Sequence, residues 1–212
     1  MGVAVLPYLI DIDNATQMQL VYDNQSAVIA DAVAIAEHYN FQGWFIDYED
    51  EYPPDTSPNK VQKLTHFLNE LGDALHAKNM QLTICVASWS QLISNYTALS
   101  SSNVDELQLM STYSESSPSA FMPIIDSYFS GVKAGDNGSL KKAGVGVGIY
   151  YDGTNGYTKE WNATSARAIV EYVSKQGGNG IDVFRLSKEG TEDWPNDDFW
   201  WEVLGDFVSG KI

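Results

Sequence analysis

The sequence predicts an α/β fold, a barrel of parallel strands, and three observations carry that expectation. Short apolar runs alternate with helical patterns along all 212 residues. The runs are rich in Val, Ile, Leu and aromatics and are often apolar on both faces, as strands covered by helices are. The residues able to do chemistry collect at strand C-terminal ends: Asp11 and Asp13, Asp47 and Glu49, Ser88 and Trp89, Tyr113, and Tyr151 with Asp152. A TIM-type (β/α) barrel builds its site at that rim from many strands. The competing closure is a doubly wound sheet. No Gly-x-Gly-x-x-Gly follows the first strand and no Gly-Lys-Ser/Thr occurs, so nucleotide-binding readings lose their main support.

The elements follow in order. Strands are read at Val3–Ile10, Trp44–Glu49, Gln81–Ala87, Glu106–Tyr113, Gly144–Tyr151 and Ile181–Leu186. Ala27–Tyr39 sets Ala27, Ala30, Ala34 and Ala36 among Val and Ile, a helical composition. Val61–Ala77 carries Leu64, Phe67, Leu68, Leu71 and Leu75 at i, i+3, i+4 spacing, one apolar stripe. Ala120–Phe129, Ser165–Lys175 and Phe199–Val208 repeat that logic, with Thr164 or Ser165 and Asp197 as caps. With no linker, charge block or short repeat, the chain reads as one domain, 1–212.

Composition narrows the partners. Twelve Lys and Arg stand against 28 Asp and Glu, a formal net charge of -16. Such a surface repels a phosphate backbone, which excludes nucleic acid and leaves a neutral sugar as a compatible ligand. The single cysteine, Cys85, excludes an intrachain disulfide and a cysteine-based zinc site. No run approaches the ~18 apolar residues of a spanning helix, so no membrane association is expected. Asn-x-Ser/Thr sequons at Asn14, Asn24, Asn95, Asn137 and Asn162 mildly favour secretion, with the signal not present in this chain.

The densest chemical signal is 39–51, YNFQGWFIDYEDE. Strand alternation puts Phe45, Asp47 and Glu49 on one face and Trp44, Ile46 and Tyr48 on the other. Asp47 and Glu49 would stand about 7 Å apart at Cα. Each raises the other's proton affinity, and an apolar surround raises it further. One ionised and one protonated carboxyl is what glycoside hydrolysis needs. The residues alone leave two other readings open: a solvated acidic loop with Asp50 and Glu51, or an Mg²⁺ or Ca²⁺ site from Asp11, Asp13, Asp47 and Glu49. No metal or other cofactor is expected. His38, His66 and His76 fall on helices, away from any rim, which disfavours a Ser-His-Asp triad. Cys85, in mid-strand, reads as a small core residue. Trp200 and Trp201 read as packing on the barrel wall, and Trp89, just past a strand, as a sugar platform.

Phe41–Glu49 resembles the Asp-Gly-x-Asp-x-Asp-x-Glu strand of family 18 chitinases and endo-β-N-acetylglucosaminidases. Its Phe-x-Gly-Trp-x-Ile opening resembles the related family 85 endo-β-N-acetylglucosaminidases. Leu109–Tyr113 is similar to the Met-x-Tyr-Asp strand of family 18, with one extra residue. Gly146–Tyr151 is similar to that family's Gly-x-Pro-x-Tyr strand and to a Val-Gly-Ile/Val strand of family 85. The resemblance implies Glu49 as general acid, Asp47 orienting the substrate's 2-acetamido group, and Tyr113 bonding its carbonyl. It further implies sugar contacts at Trp44, Trp89, Tyr150, Tyr151, Asp152 and Phe184. The partner would be a GlcNAc-containing glycan or a chitin-type oligosaccharide. The departures are Gln42 and Phe45 at the first two aspartates, Ser114 after Tyr113, and Phe184 where family 18 has a Trp. Family 85 has Asn at the place of Asp47.

The expected activity is an endo-β-N-acetylglucosaminidase cleaving the chitobiose core of N-glycans by a substrate-assisted retaining route. A chitinase, or a binding protein on the same scaffold, is the alternative. A full eight-stranded barrel takes ~250 residues, with ~200 as a floor. Six strands are readable, so the barrel is expected to be short or incomplete, with a second copy or chain able to complete it.

Overall fold

In a computed structural model, the protein is described over residues 4–12, 14–110, 118–148, 163–184 and 198–211. The elements run β1 (Tyr8–Ile12), α1 (Ala15–Asp23), α2 (Gln25–Tyr39), β2 (Gly43–Tyr48), α3 (Lys60–His76), β3 (Gln81–Val86) and α4 (Tyr96–Ser100). Then come β4 (Glu106–Leu109), α5 (Pro118–Gly135), β5 (Ala143–Gly148), α6 (Ala163–Gln176), β6 (Gly180–Phe184) and α7 (Asp198–Val208). The six strands pair in strict chain order, β1-β2-β3-β4-β5-β6, and every pairing is parallel. A doubly wound sheet reverses its order at a switch point, whereas a (β/α) barrel never does. The architecture is thus a six-stranded part of a barrel. Among the described residues, β1 and β6 do not pair with one another.

The expected strands and helices are found with shifted ends. β1 starts at Tyr8 rather than Val3, because Pro7 offers no amide to a ladder. The stretch before it is still held: Gln42 N donates to Val5 O at 3.0 Å and Phe45 N to Pro7 O at 2.9 Å. α5 extends to Gly135, beyond the expected end at Phe129. α6 begins at Ala163, so Thr164 and Ser165 lie inside the helix and do not cap it. Asp197 lies outside the described residues. Two helices have no counterpart in the sequence reading. α1 buries only Met18, too little to give a periodic stripe, and starts on Asn14, whose side chain accepts from Gln17 N. α4 has five residues and starts on Asn95, which accepts from Ala98 N at 3.2 Å. Among the described residues, two sequon asparagines, Asn14 and Asn95, therefore cap helices through their side chains.

Alternation divides the sheet into two faces. Ile46, Leu82, Ile84, Leu107, Leu109 and Val145 point to the helices and are fully buried. They meet the α3 stripe of Leu64, Phe67, Leu68, Leu71 and Leu75, and Phe121, Ile125 and Val132 of α5, in one apolar cluster. A smaller cluster joins Val147 to Ala166, Val170 and Val203. Gly43 opens β2 with φ 153°, and a Cβ there would lie 2.0 Å from Gln81 O. Only glycine fits where β2 meets β3 so closely.

Candidate active site

The inward face differs in kind. Register places Phe45 beside Thr83, Thr83 beside Glu106, Cys85 beside Gln108, Gln108 beside Gly144, and Gly146 beside Asp182. Asp47 stands half-buried on this face at the end of β2, in register with Asp11 of β1. Glu49, one residue past the strand, is also half-buried. Cys85 is buried, and its thiol donates to Asp47, with Gln108 Oε1 at 3.9 Å. Burial pushes that thiol well above the usual range, and the charges of Asp47, Glu49 and Asp182 add to it. It stays protonated and is a donor, as its mid-strand place leads one to expect.

Immediately after Glu49 the chain turns sharply. Asp50 takes φ 55°, a left-handed conformation uncommon for a side-chain-bearing residue. Its carboxylate is 3% exposed and anchors the turn. Oδ1 accepts from the Tyr48 hydroxyl at 2.8 Å and from Asp55 N at 2.7 Å, and Oδ2 lies 3.5 Å from Lys60 Nζ. Asp50 is therefore no solvated loop acid: it is the peg that fixes where Glu49 leaves the strand. Burial drives the Tyr48 phenol far up, reinforced by its bond to Asp50. Burial also raises Asp55, but the bonds from Ser57 and the charges of Lys63 and Lys60 outweigh it and leave that carboxyl below its ordinary range.

This turn forms one wall of a cleft of about 820 Å³ that Asp50, Glu51, Tyr52, Asp55, Trp89 and Gln91 help to line. Trp89, the expected sugar platform, is half-buried and lines that cleft. Trp44 is a correction. It is 5% exposed on the helix side, and its Nε1 donates to Ala32 O at 2.9 Å, so it cannot touch a ligand in the barrel. Trp201 is a second correction: it is 50% exposed rather than packed on the wall. Tyr113, Tyr150, Tyr151 and Asp152 lie outside the described residues, and of Phe184 only the backbone pairing to Gly148 is described. His38, His66 and His76 do fall on α2 and α3, with His76 Nε2 2.9 Å from Asp105. Among the described residues no group of three or more His, Cys, Asp or Glu is arranged to hold a metal.

Two inward acids went unread. Glu106 and Asp182 flank Gly144, whose Cβ would stand 2.5 Å from Glu106 Oε1 and 2.3 Å from Asp182 Oδ2. Burial raises both carboxyls and the charge of Glu106 raises Asp182 further, to about 7. The signal was present as period 2: Glu106 and Gln108 alternate with Leu107 and Leu109, and Asp182 with Ile181 and Val183.

This partial (β/α) barrel belongs to a glycosidase-type enzyme, the class that its family match shows. The family model for glycosyl hydrolase family 85 matches residues 2–129, and the chain belongs to that family. The match runs from β1 into α5 and includes Asp47 and Glu49. Solved structures of similar fold include a chitinase from Chromobacterium violaceum, at 21% identity and TM-score 0.64, covering 89% of this chain and 73% of that one. Catalytic domain 2 of the Ostrinia furnacalis Group II chitinase gives 16% identity and TM-score 0.66, covering 92% and 74%. The GH18 chitinase ChiB of Flavobacterium johnsoniae gives 16% and 0.66, covering 96% and 75%. These likenesses concern the fold. No curated protein matches the chain.

Proposed function

We propose that the chain is an endo-β-N-acetylglucosaminidase that cleaves the β-1,4 linkage of the N-glycan chitobiose core, acting as one catalytic unit outside the cell. The observation that supports this reading is Asp47 at the inward end of β2, with Glu49 one residue past it and the turn that follows lining a cleft together with Trp89. Family membership supports the enzyme class.

In the proposed reaction Glu49, protonated, donates to the glycosidic oxygen as the bond to C1 breaks. The substrate's own acetamido oxygen attacks C1 and forms an oxazolinium, the substrate-assisted variant of retention. Asp47 orients the acetamido group and opposes the positive charge that develops on it, an interaction strongest in the transition state. Tyr113 holds the acetamide carbonyl. Water then opens the oxazolinium at C1, giving its proton to Glu49, and the acid is restored. Cys85, whose thiol stays protonated beside Asp47, helps to hold that carboxylate in place.

A chitinase reading has its own support. A relative of this fold, the Ostrinia furnacalis chitinase domain, was solved in complex with penta-N-acetylchitooctaose. Turnover of a high-mannose glycopeptide and of a chitin oligomer, by wild type and Glu49→Gln, separates the readings. Wild type is expected to cut the glycopeptide. Glu49→Gln is expected to lose about 10²–10⁴-fold in kcat, the scale of a removed general acid. Cleavage of the chitin oligomer alone moves the assignment to a chitinase. Sugar binding without turnover in wild type overturns the proposed reaction.

A further inference from the structure

Glu106 and Asp182 are half-buried acids for which the proposed reaction has no role. They sit on β4 and β6, with β5 between them, and β5 carries glycine at 144, 146 and 148. Over Gly144 the two carboxyls close on one point from either side. Asp182 Oδ2 is buried with no hydrogen-bond partner, and among the described residues neither acid forms an ion pair.

Among the described residues, the groups facing them offer no compensating cation. Just before β4 stands Asp105, held by His76 at 2.9 Å. From α5 comes the Tyr128 phenol, pushed up by burial and by both acids, which donates to Leu107 O at 2.6 Å. From β3 comes the Cys85 thiol, and across it lie Asp47 of β2 and Glu49 just past it. Two ionised carboxylates this close, desolvated and without a cation, repel strongly, and the arrangement is relieved when one keeps a proton.

We propose that Glu106 and Asp182 share one proton beneath the catalytic carboxylates and, through Cys85, act as positioning residues that set the charge state of Asp47 and Glu49. This rests on the reading of Asp47 and Glu49 given above. Below neutrality the pair carries one negative charge; as pH rises it takes a second. The added charge raises the proton affinity of Glu49 and keeps the acid loaded to higher pH. The apolar Phe45 leaves β2 without a third inward carboxyl, so the balancing charge comes from across the barrel.

The test has two arms. In the first, kcat/KM is followed against pH for wild type, Asp182→Asn and Glu106→Gln. Each variant is expected to move the basic limb to lower pH by about half a unit or more, with KM at the optimum unchanged. Unmoved limbs in both variants overturn the proposal. In the second, side-chain carboxyl carbons of Asp and Glu are titrated by NMR in the same proteins without substrate. Wild type is expected to show one Asp and one Glu titrating together above the ordinary range. In Asp182→Asn the Glu106 signal should fall, and the signals of Asp47 and Glu49 should shift to lower pH. Independent titration of both acids in the ordinary range overturns the proposal. This arm holds even if wild type turns over no sugar, an outcome that would strike only the catalytic reading. If one variant does not fold, the other carries both arms.

Discussion

On the helix side of the sheet, Ile46, Ile84, Leu107, Leu109 and Val145 pack without exposure against apolar stripes of the flanking helices. On the barrel side, one residue along the same strands, stand Asp47, Cys85, Glu106, Gln108, Gly144 and Asp182. Stability resides on the first face, through burial of apolar area. The second face carries the inward acids, whose charge is held in poor solvation and whose proton affinities are raised. The difference teaches that one strand can serve both purposes only because alternate side chains never meet.

Substitutions on each face should therefore have separable effects. The largest on stability belongs to the helix side: Ile84→Ala is expected to cost about 2–5 kcal/mol, read from denaturant midpoints, with kcat of the folded fraction unchanged. A loss of activity without loss of stability would break the division. On the barrel side, Gly144→Ala would drive a methyl into both carboxylates. A cost of about 1–3 kcal/mol is expected, together with a changed pH profile, since the intruded atoms are the ends of titrating side chains. A variant as stable as wild type with the same profile would show that the two acids do not converge there.

Stability itself should carry the signature of the inward pair. Asp182 has a folded-state affinity raised to about 7, so its favourable contribution is complete below its unfolded value near 4 and is lost as pH rises through about 7. Stability from this pair falls with pH across that window, and Asp182→Asn should flatten the slope, as equilibrium unfolding at several pH values would reveal. The smallest effect falls between the faces. Tyr48→Phe removes the hydroxyl that holds Asp50, for an expected cost of about 1 kcal/mol. Its second expected effect is a fall in kcat through the loosened position of Glu49.

Much of this was legible in the sequence, and what was not has physical reasons. The parallel order, the α3 stripe and the pairing of Asp47 with Glu49 all follow from periodicity, because each repeats within a few residues. Trp44 does not take the sugar contact that the family resemblance implied, and alternation already put it opposite Asp47. A solvated loop stayed open as an alternative for Asp50 because its partners, Asp55 and Lys60, come from a turn whose path only the fold defines. The Glu106–Asp182 pair needs two strands 76 positions apart to flank a third, which no local pattern records. Helices α1 and α4 were missed because one buries a single side chain and the other is five residues long.

The central claim, that the inward face of β2 conducts substrate-assisted hydrolysis, is tested most directly by the anomer of the first product. Proton NMR of a chitobiose-core substrate, followed from the first minutes of turnover, reads it before mutarotation. The account predicts the β-anomer from wild type and no product from Glu49→Gln on that timescale. An α-anomer as the first product would mean direct attack by water and would contradict it.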